Sequence, residues 1–168
     1  MAEEYRGALG AIPYAFRSSD SWLFRSYVVV GGLAAGLIAL LIALALVVLF
    51  GQTAGFEGGT LTLSRTFYVV FGLFLFAPLI GPMLFVARRH RRAGGSARYD
   101  RWMALAGYVF LGSLYAGAIA SMPASYQQAP TGLLAPVIAA LYAIPPAFAF
   151  VVPLVAAVGI LAVHYAAP

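Results

Sequence analysis

The sequence predicts an all-α fold, a polytopic transmembrane helical bundle that crosses a bilayer about four times. Of its 168 residues 63% are hydrophobic and only 9% charged, far below the roughly one quarter charged of an average soluble chain. Apolar runs of the length that hydrocarbon demands, about 18 residues or more, alternate with short segments holding nearly all the charge. Arginines gather beside the ends of those runs, most densely between Arg88 and Arg101. The chain accordingly divides into an N-terminal segment, 1–26, and a transmembrane domain, 27–168. The expected spans are about 27–50, 65–87, 102–122 and 146–165, with an arginine-rich loop at 88–101.

The opening segment does not read as a signal peptide, which would begin with a basic stretch and a short apolar run. Glu3 and Glu4 come first, and the first long apolar run begins at Tyr27, so that run is expected to be retained as a span. Tyr5, Leu9, Ile12 and Phe16 fall on roughly one helical face, which makes 4–16 a candidate interfacial helix. Pro13 opposes it by removing a backbone donor, so a partly ordered cytoplasmic tail is the other reading. Ser18, Ser19 and Asp20 offer side-chain oxygens to cap the next helix, and Trp22, Phe24 and Tyr27 have the spacing of an aromatic belt at the headgroups.

In the first span Gly32 and Gly36 form a G-x-x-x-G continued by Ala39 and Ala43, a face on which another helix can pack closely. The second span carries Pro78, Gly81 and Pro82 in its far half. Each proline removes a helical hydrogen bond and bends the axis. The third span presents Gly112, Ala116 and Ala120 at four-residue spacing, with Ser113, Gly117 and Ser121 one step around. This broad small-residue surface predicts burial between helices, with Ser113, Tyr115 and Ser121 hydrogen-bonding from helix to helix. The last segment, 131–168, is uncharged and interrupted by Pro136, Pro145, Pro146 and Pro153. It is either a half-helix to Ile144, interfacial or re-entrant, followed by a span from Pro146, or one kinked and tilted helix.

Orientation follows from arginine. All 10 basic residues are arginine, so the positive charge is permanent. Arg88, Arg89, Arg91, Arg92, Arg98 and Arg101 flank two span ends, and Arg6, Arg17 and Arg25 lie on the same side of the layout. The positive-inside bias therefore places the loop and both termini in the cytoplasm. The same six loop arginines suit anionic lipid headgroups or an acidic partner. Nucleic acid is not an expected partner, because no basic face interleaved with aromatics lies outside the membrane.

Chemistry is sparse. The absence of cysteine removes thiolate ligands and cysteine nucleophiles. The acids are Glu3, Glu4, Asp20, Glu57 and Asp100, and no ionisable residue sits at a span centre, where proton relays and ion paths are marked. His90 stands among arginines without the companions a metal needs, and His164 reads as interfacial. No catalytic residue, metal ligand or cofactor site is expected. The function expected is that of a non-enzymatic structural or interaction subunit, as a homo-oligomer or beside another membrane protein. The alternative is a small transporter or channel component for a neutral or apolar solute.

Three stretches carry a family likeness: Tyr5, Arg6 and Gly7; then Pro13, Tyr14, Ala15, Phe16, Arg17, Ser18, Ser19 and Asp20; then Phe24, Arg25, Ser26, Tyr27, Val28, Val29 and Val30. Together they resemble the opening of an uncharacterised family of small multi-span membrane proteins in halophilic archaea. That resemblance implies an archaeal plasma membrane and transfers no functional residue, since the family has no assigned activity.

Overall fold

A computed structural model describes residues 7–53 and 59–167. Among them there are six α-helices: α1 (Gly7–Ser18), α2 (Trp22–Thr53), α3 (Gly59–Ala93), α4 (Ala97–Ala120), α5 (Ala135–Tyr142) and α6 (Val151–Ala166). Four helical stretches among the described residues are long and apolar enough to cross a membrane: Trp22–Thr53, Arg65–Ala93, Ala97–Ala120 and Pro146–Ala166. They run up and down as a bundle in which α4 packs on α6, α3 and α2, and α2 packs on α3.

Helices α2 and α3, of 32 and 35 residues, are about 48 and 52 Å long at 1.5 Å per residue, well beyond the roughly 30 Å hydrocarbon thickness. The excess in α3 contains the arginines. Arg88 to Arg92 stay helical because arginine is a good helix former and cations suit a helix C-terminus. The segment expected as a loop, 88–101, is thus helical except at Gly94, Gly95 and Ser96. Gly94, at φ 81°, takes the left-handed conformation that ends a helix. Gly95 is needed for space, because a β-carbon there would run into the His90 ring.

The core is concentrated at this arginine-bearing end. Phe24, Tyr27, Leu79, Met83, Val86, Tyr99, Met103 and Phe110 are fully buried. The expected aromatic belt therefore splits: Phe24 and Tyr27 are core residues, whereas Trp22 is 80% exposed. Tyr27 slots between Gly31 and Gly107, where any side chain at Gly107 would occupy its ring position. Its hydroxyl donates to the Leu79 carbonyl at 2.7 Å, inside the turn bracketed by Pro78 and Pro82, and its ring meets Tyr108 edge-on at 5.2 Å.

On α2 the small residues that pack the bundle are neighbours of the expected ones, whereas on α4 Ser113, Gly117 and Ala120 of the expected surface are buried and Gly112 is not. Gly31 and Ala35 are buried on α2, and Gly107, Ser113, Gly117 and Ala120 on α4. Gly32, Gly36 and Gly112 face open space, and Ala116 is half-buried. The reason is Tyr27, whose ring demands glycine on the line through 31 and 107 and so sets the rotation of both helices. The expected helix-to-helix serine bonds are also local: Ser113 donates to the Phe110 carbonyl and Ser121 to that of Ala118, while Tyr115 is 73% exposed.

Helix α1 forms despite Pro13, which is exposed. It lies against α3 and α2 with Ala11 and Ala15 buried. Tyr5 of the expected apolar face lies outside the described residues, and Phe16 is exposed. Small alanines let the helix dock closely on its own bundle. The last segment is divided as the half-helix reading has it. α5 ends at Tyr142, and Pro145, which has no N–H to continue the ladder, precedes a short 3-10 turn at Pro146–Phe148 and then α6.

Burial falls away toward the other end. The buried residues of α2, namely Phe24, Tyr27, Val28, Gly31 and Ala35, all lie in its first half. Beyond them Leu37, Leu40, Leu41, Leu44, Val47 and Val48 are exposed. Arg65 ties the tip of the α2–α3 hairpin, donating to the Thr53 hydroxyl at 2.6 Å and carbonyl at 2.9 Å.

Candidate functional site

The polar chemistry of the described residues converges at the arginine-bearing end, around Asp100. This residue sits in the first turn of α4, where the helix dipole favours an anion. Its side chain is wholly buried. Ser19 Oγ donates to Asp100 Oδ2 at 2.5 Å, and His90 Nε2 lies 3.1 and 3.0 Å from Oδ1 and Oδ2. With the proton on Nε2 the imidazole donates to the carboxylate. His90 is itself nearly buried, with 10% of its side chain exposed.

Three parts of the chain meet at this carboxylate: the α1–α2 junction, the end of α3 and the start of α4. The junction is itself knitted together. The Ser21 N–H donates to Ser19 Oγ at 3.2 Å, the Phe24 N–H to Ser21 Oγ at 3.3 Å, and Arg25 Nε to the Ser19 carbonyl at 2.8 Å. Ser21 is thus the residue that caps α2, in place of the expected Ser18, Ser19 or Asp20. Ser19 turns inward to Asp100, and Asp20 is exposed.

A second group adjoins the first. Tyr99 Oη and His164 Nδ1 are 2.6 Å apart, joining α4 to the end of α6. His164 stacks on Phe85 at 4.2 Å between ring centres. The Arg89 guanidinium stands 4.1 Å over the Tyr99 ring and donates to the Ala167 carbonyl at 3.1 Å. His164 is accordingly an inter-helix contact.

The six loop arginines divide by role. Arg89 is committed to Tyr99 and the C-terminal backbone, whereas Arg88, Arg91, Arg92, Arg98 and Arg101 are exposed at the same end. Gly32, Gly36 and Gly112 are on outward faces, remote from this cluster along their helices.

Chemically the arrangement is a clamp. The carboxylate stands between serine and histidine and accepts from both. No three His, Cys, Asp or Glu side chains come together among the described residues, and every buried side-chain nitrogen and oxygen there has a partner. Removing one member of such a buried pair typically costs about 3–5 kcal/mol.

The clamp had a faint sequence signal. His90 stands four residues before Gly94 and Asp100 four after Ser96, so a helical hairpin turning at Gly94, Gly95 and Ser96 sets them opposite each other. Ser19 had none, because its contact spans 81 positions.

A family model described as Domain of unknown function (DUF8056) matches residues 1–168. No curated protein and no solved structure matches the chain.

Proposed function

We propose that this chain, which belongs to the DUF8056 family, is a non-enzymatic interaction subunit of a membrane assembly. The observation that carries the reading is the unequal burial of α2. Its first half is locked into the bundle, and its second half presents leucines and valines that no element among the described residues covers. Gly32 and Gly36 open the same outward surface to close approach, and the occupant proposed is a transmembrane helix of a second copy or of another membrane protein. The closed hydrogen-bonding of the Asp100 cluster supports the same reading, because it gives the arginine-bearing end the rigidity of a platform.

The setting proposed is an archaeal plasma membrane of a halophile, with the arginine-bearing end and both termini cytoplasmic. Arg88, Arg91, Arg92, Arg98 and Arg101 would there meet anionic headgroups, each contributing about 1 kcal/mol near a charged surface. Purification from native membranes in a mild detergent tests the function. A stoichiometric companion or a defined oligomer is expected, and a monomer with no companion contradicts it.

One observation favours a second reading, a small transporter component for a neutral or apolar solute: Pro78 and Pro82 lie inside α3, and Pro145, Pro146 and Pro153 stand at the entry to α6, where a missing N–H can free a backbone carbonyl to line a path. Flux of such a solute into proteoliposomes holding this protein alone would favour it over the first.

A further inference from the structure

We propose that a cavity between the four spans is a binding site for one hydrocarbon chain of a membrane lipid. The cavity measures about 360 Å³ and lies among Ile38 of α2, Phe71 and Phe74 of α3, Gly117 and Ala118 of α4, and Pro153 of α6. It occupies the C-terminal turns of α4 and the beginning of α6, at the end of the bundle opposite the arginines.

Its origin is local. Pro153 has no N–H for the Ala149 carbonyl, which is reached instead by the Val152 N–H at 3.4 Å, so the chain enters α6 through the short turn at Pro146–Phe148. Gly117 lets this turn come close: a β-carbon there would lie 3.3 Å from the Ala149 oxygen and 3.2 Å from Pro153 Cδ. The two segments touch along that line, and beside it Gly117 and Ala118 supply too little bulk to fill the space toward Phe71 and Phe74.

The lining selects the occupant. Among the described lining residues Ser121 alone has a polar side chain, and its hydroxyl already donates to the Ala118 carbonyl at 2.9 Å. A polar metabolite would surrender its hydration for no side-chain partner, and apolar cavities of this kind do not retain water. A transmembrane helix, about 10 Å across, does not fit. At about 30 Å³ for each water-sized group, the space takes roughly a dozen methylene-sized groups, which is one chain. Phe71, Phe74 and Phe150 are partly exposed, so the mouth lies on the apolar flank of the bundle, where lipid chains are the surrounding solvent.

The test uses the full-length protein in nanodiscs of a phosphatidylcholine bilayer doped with a lipid bearing a mid-chain diazirine. After irradiation, adducts are mapped by peptide mass spectrometry. Adducts on 114–121 and 146–153 are expected to exceed those at the outward-facing Leu33 and Val109. Ala118→Trp, at an exposed lining position, is expected to lower the cavity adducts several-fold while leaving Leu33 unchanged. Ser121→Leu, at an exposed position of the lining, provides the same comparison if the tryptophan variant does not fold. Labelling at the cavity no higher than at Leu33, or labelling unchanged in a folded filled variant, overturns the proposal. Native mass spectrometry from native membranes gives a second reading: a retained lipid lost in the filled variant is expected, and a retained free hydrocarbon instead of a lipid contradicts the assignment.

Discussion

Replacing Asp100 by alanine removes the acceptor shared by Ser19 Oγ and His90 Nε2 and leaves both donors in a closed interior. Hydrogen bonds to a charged group contribute about 1.5–3 kcal/mol each, and orphaned buried donors forfeit their solvation as well. Because the two bonds share one acceptor they are not additive, and the expected loss is the 3–5 kcal/mol or so of a broken buried pair. For a chain of this size such a loss lowers the unfolding midpoint by about 10 °C. The assay is thermal unfolding in mild detergent followed by the fluorescence of Trp22 and Trp102, with Asp20→Ala, an exposed acid, as control at about 0.5 kcal/mol or less. Ser19→Ala should destabilise the native protein and do little more in the Asp100→Ala background. A midpoint for Asp100→Ala equal to that of the Asp20→Ala control refutes the clamp.

Gly107→Ala forces a β-carbon into the Tyr27 ring and is expected to cost about 1–3 kcal/mol by overpacking; Gly112→Ala, facing open space, should gain up to about 1 kcal/mol. The same unfolding assay separates them, and equal effects would contradict the helix rotation described. Combining Arg92→Ala with Arg98→Ala should weaken binding of the protein's arginine-bearing end to anionic headgroups by about 1 kcal/mol per arginine, read by retention of anionic against neutral lipid in native mass spectrometry. With no native cysteine, Ser96→Cys reports topology cleanly: an impermeant maleimide should label it only after the membrane is opened, and labelling of intact cells reverses the orientation.

The four crossings were legible because hydrocarbon thickness imposes apolar runs that no soluble fold needs, whereas the last segment was legible only as two alternatives, since its prolines fit both a divided segment and one kinked helix. The rotation of the helices was not. Gly32, Gly36 and Gly112 have the right spacing for packing, but Gly31 and Gly107 line the Tyr27 slot, and periodicity alone does not distinguish two adjacent small-residue lines. Arg88 to Arg101 read as a loop because charge marks the end of a span, whereas the α-helix continues past the end of the apolar run. The Asp100 clamp was hidden for a different reason. A lone acid and a lone histidine in an arginine-rich segment look solvated until α1 folds back and brings Ser19 over them.

A photo-crosslinking residue placed at Gly36 or Leu40 on the outward face of α2, irradiated in native membranes, tests the proposed function most directly. A discrete crosslinked protein species of defined mass, absent when the same residue is placed at the lipid-facing Leu161 of α6, is the expected result. Lipid adducts alone at every α2 position would contradict it.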